Sequence, residues 1–144
     1  MGKKRITTNK GGAKNNALKA RALSRGTKKK LTEGILHVES TFNNTRVSLT
    51  SMDGDLFFTS SSGALGFKGA KKGTAFAAAK IGELIGEQSV AAGVKAVDVV
   101  VKGVGQGRES AIRGFVSKGV DVRSIADKTP VPHNGPKPKK PRRI

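Results

Sequence analysis

The positive charge of this chain lies almost entirely at its two ends, and this limits where a folded core can form. Residues 1–32 hold eleven basic residues and no acidic one, and residues 128–144 hold six basic residues and no acidic one. The residues between them carry the other 11 basic residues and all 10 acidic ones, so the middle is nearly neutral. Highly charged segments with few apolar residues cannot offset the entropy lost on ordering. The sequence therefore predicts a globular domain at 34–128, between a basic extension at 1–33 and a basic, proline-rich tail at 129–144.

A formal net charge of +18 favours a polyanionic partner, against which both ends are expected to order. A membrane partner is disfavoured, because the longest stretch without a charge, Leu56–Phe67, has twelve residues. A spanning helix needs about 20 apolar residues. A basic N-terminus is also typical of organelle transit peptides, but that hypothesis leaves the basic C-terminus unexplained.

The residue types that are missing exclude several kinds of site. Without cysteine the chain has no disulfide scaffold, cysteine zinc site or thiol nucleophile. His37 and His133 have no partner at metal-ligand spacing, so neither a metal nor a cofactor is predicted. With six Phe, no Tyr and no Trp, little base stacking is expected, and RNA would be recognised mainly through phosphates and shape.

Alternation of apolar and polar residues predicts a three-stranded antiparallel meander, with strands at 35–42, 45–51 and 56–60. On the first strand Leu36, Val38 and Phe42 are expected to face the core. Asn43 and Asn44 are expected to form a hairpin turn, because Asn tolerates the positive φ that tight turns need.

Helical spacing predicts a helix over 74–91, capped by Thr74. Ala78, Gly82 and Gly86 form a row of small residues that is expected to let this helix lie close to a sheet. The remaining elements are predicted as a strand at 94–101, a helix at 108–118 and a strand at 120–126.

The strand at 94–101 is expected to be covered on both faces, and Ile112, Phe115 and Val116 are expected to face inward from the second helix. Short helices between the later strands predict parallel pairing there. The predicted order is β-β-β-α-β-α-β around a mixed sheet.

Two glycine-rich segments connect strands to helices. Gly63–Thr74 combines exposed backbone N–H groups, a helix N-terminus and three lysines, Lys68, Lys71 and Lys72, which together suit a phosphate backbone. Phe67 lies in the same segment and either stacks on a base or anchors the loop in the core.

The second segment, Gly103–Ser110, lacks the third glycine of a dinucleotide-binding fingerprint at the required place. Its glycines also suit tight packing. Because Arg108 and Arg113 lie near the helix start, an RNA phosphate contact is the preferred interpretation.

Two other classes of protein share features of this chain. The element order is that of ribonuclease-H-like nucleases, and Glu39, Glu83 and Asp98 fall on the elements that would hold metal ions. Each is also an ordinary solvent-facing residue, and no enzyme activity is predicted. A general nucleic-acid chaperone or histone-like DNA binder would explain the basic ends but not the α/β domain.

Four segments carry a resemblance to a known family: His37–Thr45 (HVESTFNNT), Gly66–Ala78 (GFKGAKKGTAFAA), Val101–Ser110 (VKGVGQGRES) and Thr129–Gly135 (TPVPHNG). With the spacing between them they cover residues 35–144. Over this range the chain resembles the small-subunit ribosomal protein eleven family, the universal platform protein. It departs from the family pattern at Ala75 and Val104, where prolines are common.

The resemblance implies a ribonuclease-H-like three-layer α/β domain without catalysis or cofactor. It implies binding to the central domain of small-subunit ribosomal RNA, on the platform near the exit-site messenger path and the Shine–Dalgarno cleft. The implied partners are this RNA, neighbouring small-subunit proteins and nearby messenger RNA, in a cytoplasmic ribosome, with an organelle matrix left open. The RNA contacts it implies are Asn43, Asn44, Gly66, Phe67, Lys68, Gly69, Lys71, Lys72, Thr74, Gly103, Gly105, Gly107, Arg108, Pro130, Pro132, His133, Asn134, Gly135, Lys137, Lys139, Lys140, Arg142 and Arg143.

Overall fold

The computed structural model of the chain describes residues 30–143. The strands are β1 (Glu33–Ser40), β2 (Thr45–Thr50), β3 (Leu56–Ser61), β4 (Ala96–Lys102) and β5 (Asp121–Asp127). The helices are a 3-10 helix (Gly69–Gly73), α1 (Ala75–Ala92) and α2 (Gly107–Val116). The predicted order of elements is confirmed, whereas the predicted disorder of the N-terminal extension lies outside the described residues. None of these helices is long and apolar enough to cross a membrane.

The five strands form one mixed sheet in the order β3-β2-β1-β4-β5. β1 pairs antiparallel with β2, and β2 with β3, which confirms the meander. β4 pairs parallel with both β1 and β5. Parallel neighbours need a crossover connection, and α1 and α2 provide the two crossovers that lead into and out of β4.

The core lies on one face of the sheet. Alternate residues of the strands are buried there, and both helices cover this same face with Ile81, Ile85 and Phe115. The buried strand residues include Leu36, Val38, Val47, Leu49, Val97, Val99 and Val101. On the other face His37, Asp98 and Val100 are half-buried. Within residues 30–143, β4 is therefore fully buried on one face only, where burial of both faces was predicted.

The two helices approach each other closely where both carry glycine. A β-carbon at Gly82 would lie 2.1 Å from the carbonyl oxygen of Ala111, and one at Gly114 would lie 2.4 Å from that of Ala79. The small residues of α1 thus face α2. They had been predicted to face the sheet, and that prediction is wrong. Ile81 and Ile85 occupy the sheet-facing stripe of α1, and the row that includes Gly82 lies on the neighbouring stripe.

Two predicted core residues lie on the surface. β1 ends at Ser40, so Phe42 lies beyond the strand and its side chain is 76% exposed. Val116 is the last residue of α2 and is exposed, while Ala111 and Phe115 face the core. The apolar pattern was thus extended past the end of β1 in one case and to the last residue of α2 in the other.

The described segment enters the fold at the end of the sheet where β1 begins. Leu31 donates a backbone hydrogen bond to the carbonyl oxygen of Ala92 at 3.3 Å, and Lys95 donates one to Thr32 at 2.9 Å. Leu31 also packs against the core. The chain therefore enters beside the C-terminus of α1.

Candidate nucleic-acid interface

The topology gathers the predicted binding segments at one end of the sheet. Because β1, β3, β4 and β5 run in the same direction, the segments that follow them meet at the carboxyl ends of these strands. We call this the loop end, and it comprises the β1–β2 turn (41–44), the connection 62–74, the connection 103–106 and the start of the tail at 128–129.

The β1–β2 turn is closed by the side chain of Thr41. Its hydroxyl accepts a hydrogen bond from the Asn44 backbone N–H at 3.1 Å, and its backbone N–H donates to the Asn44 carbonyl oxygen at 2.8 Å. The predicted turn is confirmed, but its predicted mechanism is wrong. Within residues 30–143 the only non-glycine residue with positive φ is Asn134, so neither Asn43 nor Asn44 has one.

Both glycine-rich segments pack against this turn. A β-carbon at Gly73 would lie 2.2 Å from the carbonyl oxygen of Phe42, and one at Gly105 would lie 2.3 Å from that of Thr41. Gly105 also donates its backbone N–H to the carbonyl oxygen of Ser40 at 3.0 Å. Glycine at these positions therefore serves close packing, which was the alternative interpretation of the second segment. This packing brings Asn43 and Asn44 next to both segments.

The lysines of the first segment face solvent around the 3-10 helix. Lys68 and Lys71 are exposed and Lys72 is half-buried. No acidic residue occurs between positions 56 and 82. Gly66 and Gly69 have φ of 93° and 63°, which allow the sharp path of this connection. The arrangement presents a cluster of cationic groups next to the N-terminus of α1.

Thr74 has a structural role at the start of α1. Its hydroxyl accepts a hydrogen bond from the Ala77 backbone N–H at 3.3 Å and donates to the Lys71 carbonyl oxygen at 2.7 Å. The predicted helix cap is confirmed. The same contacts join α1 to the 3-10 helix that carries the lysines.

Arg108 is engaged within the protein. Its guanidinium donates to the carboxylate of Asp127 at 2.5 Å and to the carbonyl oxygen of Gly103. Hydrogen bonds from the Thr129 hydroxyl, and then from Arg108, hold the pKa of Asp127 well below its usual range. Arg108 therefore links the second glycine-rich segment to the start of the tail. Its guanidinium is used within the protein, and its phosphate contact stays a prediction. Arg113, by contrast, is exposed and only loosely paired with Glu109, at 3.5 Å.

The tail begins at the loop end and lies on the surface. The backbone N–H of Lys128 donates to the carbonyl oxygen of Val101 at 2.9 Å, which continues the pairing of β4 with β5. Residues 130–143 form no helix or strand, and every one of them is exposed. Asn134 has a φ of 53°. The predicted tail residues Pro130, Pro132, His133, Gly135, Lys137, Lys139, Lys140, Arg142 and Arg143 all lie in this exposed segment.

The charges of the nearly neutral domain are distributed unequally between the two ends of the strands, with basic residues in excess at the loop end. Basic residues at the loop end include Arg46, Lys68, Lys71, Lys72 and Lys102. The loop end also holds Glu39, Glu109 and Asp127, whereas the opposite end holds Glu33, Asp53, Asp55, Glu87 and Asp121 together with Lys30, Lys95 and Lys118. The balance of charges in the middle of the chain was predictable from composition, whereas this unequal distribution was not noticed in the sequence. Assigning each charge to an end of the predicted meander and crossovers would have revealed it.

A second surface feature that the sequence analysis missed is aromatic. Phe76, in the first turn of α1, is 64% exposed. The half-buried Phe67 contacts it edge-to-face, with ring centroids 6.2 Å apart and an angle of 86° between the rings. Helical spacing places Phe76 on the same outward face as Lys80 and Glu83, so the signal was present in the sequence.

The carboxylates considered for a nuclease do not converge. Among the described residues no group of three His, Asp or Glu side chains is placed to hold a metal ion. Asp98 is paired with Arg123 at 3.1 Å, and Glu83 with Lys80 at 3.1 Å. His37 shares a hydrogen bond with the Thr50 hydroxyl at 3.1 Å, and burial, followed by the charge of Lys102, lowers its pKa.

Comparison with protein families gives one match that covers most of the chain. The family model for ribosomal protein S11 matches residues 34–143. The match includes the sheet from the second residue of β1, both helices, the two glycine-rich segments and the exposed tail, and residues 1–33 precede it. Proteins of this family are structural components of the small ribosomal subunit that bind its RNA. The chain belongs to the ribosomal protein S11 family.

Proposed function

We propose that the loop end holds the phosphate backbone of small-subunit ribosomal RNA on the platform of the subunit, near the exit-site messenger path and the Shine–Dalgarno cleft. The observation that carries this proposal is the convergence of two glycine-rich segments, three lysines and the start of the basic tail at one positive end of the sheet. The opposite end carries mixed charges, with Glu33, Asp53 and Asp121 beside Lys30, Lys95 and Lys118. The folded domain therefore presents its larger basic excess to a polyanion at the loop end.

The mechanism is electrostatic and depends on RNA shape. Lys68, Lys71 and Lys72 replace condensed cations along the backbone, and the cations released contribute the free energy of binding. The tail supplies a second group of cations, and Arg108 with Asp127 fixes the direction in which it leaves the domain. This division of labour corresponds to a core at 34–128 and a tail that starts at Thr129.

The platform position also implies contacts beyond the RNA. We propose that neighbouring small-subunit proteins and nearby messenger RNA are partners of the chain and that it takes part in subunit assembly. We place it in the cytoplasmic ribosome. The resemblance in four sequence segments supports these proposals. Site-specific crosslinking in assembled subunits, with the RNA and protein positions read out, tests all of them together.

The main test replaces Lys68, Lys71 and Lys72 with Ala. We expect weaker binding to a small-subunit ribosomal RNA fragment and a log–log salt slope flatter by about 2 to 3, since each lost phosphate contact contributes roughly 0.9. The melting temperature should change little, because these side chains lie on the surface. Fluorescence anisotropy at several salt concentrations measures the binding, and circular dichroism measures the melting.

A matched control removes the same charge from the opposite end by replacing Lys30, Lys95 and Lys118 with Ala. We expect a much smaller effect on binding. Equal losses from the two triple variants would show that net charge, and not the loop end, determines binding. A loss of stability as large as the loss of binding would show that the loop lysines are structural.

A further inference from the structure

Phe76 is a large aromatic side chain that the fold leaves in solvent. Of the six Phe residues, Phe58 and Phe115 are buried in the core. Phe76 is 64% exposed although it lies on α1, whose opposite face is buried. Exposing a ring of this size forgoes a substantial hydrophobic stabilisation. The ring is therefore available to a partner.

Two neighbours hold the Phe76 ring in place. Phe67 contacts it edge-to-face at 6.2 Å, and the ammonium of Lys80 lies 5.5 Å from the ring centroid. Lys80 is itself held by Glu83 at 3.1 Å. A side chain fixed in this way loses little freedom when a ligand binds, which favours affinity.

The surroundings of the ring are cationic and lie at the edge of the proposed RNA surface. Phe67 is followed directly by Lys68, and Lys71 and Lys72 lie between the two aromatic residues in the chain. An anionic ligand with a flat aromatic face fits this combination, and an unpaired nucleotide has both properties. Protein interfaces are depleted in lysine at their centres, so a surface on which several lysines surround Phe76 suits a protein partner less well.

We propose that Phe76 stacks on an unpaired nucleobase, with Phe67 as the positioning residue that holds its ring. The proposal rests on the proposed RNA-binding function and adds a single-stranded element to the RNA that the loop end recognises. It also revises the expectation that this chain makes little use of stacking. Its few aromatic residues include one that is exposed, supported and next to the lysine cluster.

The test uses the absence of Trp and Tyr from the chain. In the full-length Phe76→Trp variant the only indole lies at the proposed stacking position. We expect its fluorescence to be quenched by a short oligoadenylate, and much less by a strand of equal length and charge that carries abasic positions. Equal quenching by both strands would overturn the proposal, because both present the same phosphates.

Affinity measurements provide an independent readout. Phe76→Ala and Phe76→Leu should each weaken binding of the oligoadenylate about tenfold, which corresponds to about 1.4 kcal/mol and falls within the range for one stacked base. The salt slope and the affinity for a fully paired RNA duplex should not change. Val90→Ala, which shortens another exposed apolar side chain of α1, is the matched control and should bind like the unmodified protein. Melting curves should coincide for all variants.

Three outcomes separate this inference from the proposed function. If the Phe76 variants bind every RNA normally while the loop-lysine variant does not, the stacking inference fails and the proposed function stands. If the unmodified protein binds no ribosomal RNA, both fail. If the Phe76 variants lose only their association with other small-subunit proteins, the ring belongs to a protein interface and stacking is overturned.

Discussion

Thr129 lies at the junction between the folded domain and the tail, and its hydroxyl connects three parts of the loop end. It donates to the Asp127 carboxylate at 2.6 Å and accepts from the Gly103 backbone N–H at 3.1 Å. The guanidinium of Arg108 lies 3.4 Å away. This small side chain therefore joins the start of the tail to β5, to the second glycine-rich segment and to Arg108 of α2.

The Thr129→Val variant removes this hydroxyl while keeping the shape of the side chain. We expect the pKa of Asp127 to rise toward its ordinary value, because the hydroxyl is the largest cause of its depression. Titration of the Asp127 carboxyl by NMR measures the change. Thr59→Val, which removes a hydroxyl that bonds only to Ser48 in the described structure, should leave this titration as it is. An unchanged Asp127 pKa in Thr129→Val would contradict the assignment.

The depressed pKa of Asp127 also gives a direction for the pH dependence of stability. The folded state binds this proton less readily than the unfolded state does, so the contribution of the carboxylate is fully present above the ordinary carboxyl pKa, about 3.9. It is lost as the pH falls below that value toward the depressed pKa. Unfolding of the unmodified protein and of Asp127→Asn, compared at neutral and at acidic pH, should show a difference that shrinks as the solution is acidified. A difference that grew on acidification would have the wrong sign.

Among single residues, those in the middle of an element could be predicted from the sequence, whereas those at its ends could not. Leu36, Val38 and Phe115 were assigned to the core by apolar spacing, and they are buried. Phe42 and Val116 fit the same spacing but lie beyond or at the end of their elements. Periodicity specifies which face a residue takes only while the element continues.

The helices α1 and α2 cross with their backbones close together. At Gly82 the backbone of α1 lies so near Ala111 that no side chain fits between them. The crossing holds the N-termini of both helices at the loop end, next to the two glycine-rich segments. The geometry of the candidate interface therefore depends on a contact that lies outside it.

Gly82→Ala should destabilise the domain by about 1–3 kcal/mol, because the added methyl group overlaps backbone atoms that cannot move independently. Urea unfolding followed by circular dichroism measures this change. Gly63→Ala is the matched control, since a β-carbon there would meet its nearest neighbour, an atom of the Lys72 side chain, at 3.9 Å. Its stability should be close to that of the unmodified protein. A Gly82 variant of undiminished stability would show that the helices separate easily.

The order and pairing of elements were predictable because strand and helix periods differ and because connection length separates antiparallel from parallel neighbours. The partner of the small-residue row in α1 was not predictable. A row of small residues indicates that another element packs closely against the helix. A sheet and a second helix both require small residues at such a contact, so the row does not distinguish them. Burial of both faces of β4 was predicted for a related reason, since an apolar run such as Val97–Val101 does not show whether one face or both are covered.

At the scale of the whole molecule, the domain and the tail present their positive charge at the same end. The exposed residues 130–143 leave from the loop end, where the domain has its excess of basic residues. A single polyanion can therefore contact the loop lysines and the tail at once. Simultaneous contact makes the second binding event effectively intramolecular.

Deleting residues 130–144 should flatten the salt dependence of RNA binding by up to about 4 log–log units, from a slope of about −5 or steeper for the intact chain. The deletion removes five cations but keeps Lys128 and Thr129, so the junction with the domain stays intact. A full-length variant with these five residues replaced by Gln separates charge from length and should behave like the deletion. An unchanged slope in both variants would show that the tail does not contact phosphates.

The basic tail and the glycine–lysine segment could be found from the sequence, because their compositions are unusual over a few consecutive residues. The polarity of the domain could not be found in this way, because it arises from Lys68, Lys102, Glu33 and Asp121, which only the strand directions place at one end or the other. The exposure of Phe76 had a periodic signal, but an aromatic residue on a helix is usually assigned to the core.

The two ends of the described segment lie at opposite ends of the sheet, so the position of a fused label depends on which end carries it. β1 has eight residues, so Leu31 and the start of the tail are separated by about 23 Å along the strand direction. A fluorescent domain fused directly before Lys30 would begin at the end of the sheet opposite the loop lysines. The same domain joined after Arg143 would follow the exposed tail and compete with RNA for space, so a label fused before Lys30 should disturb the loop end less.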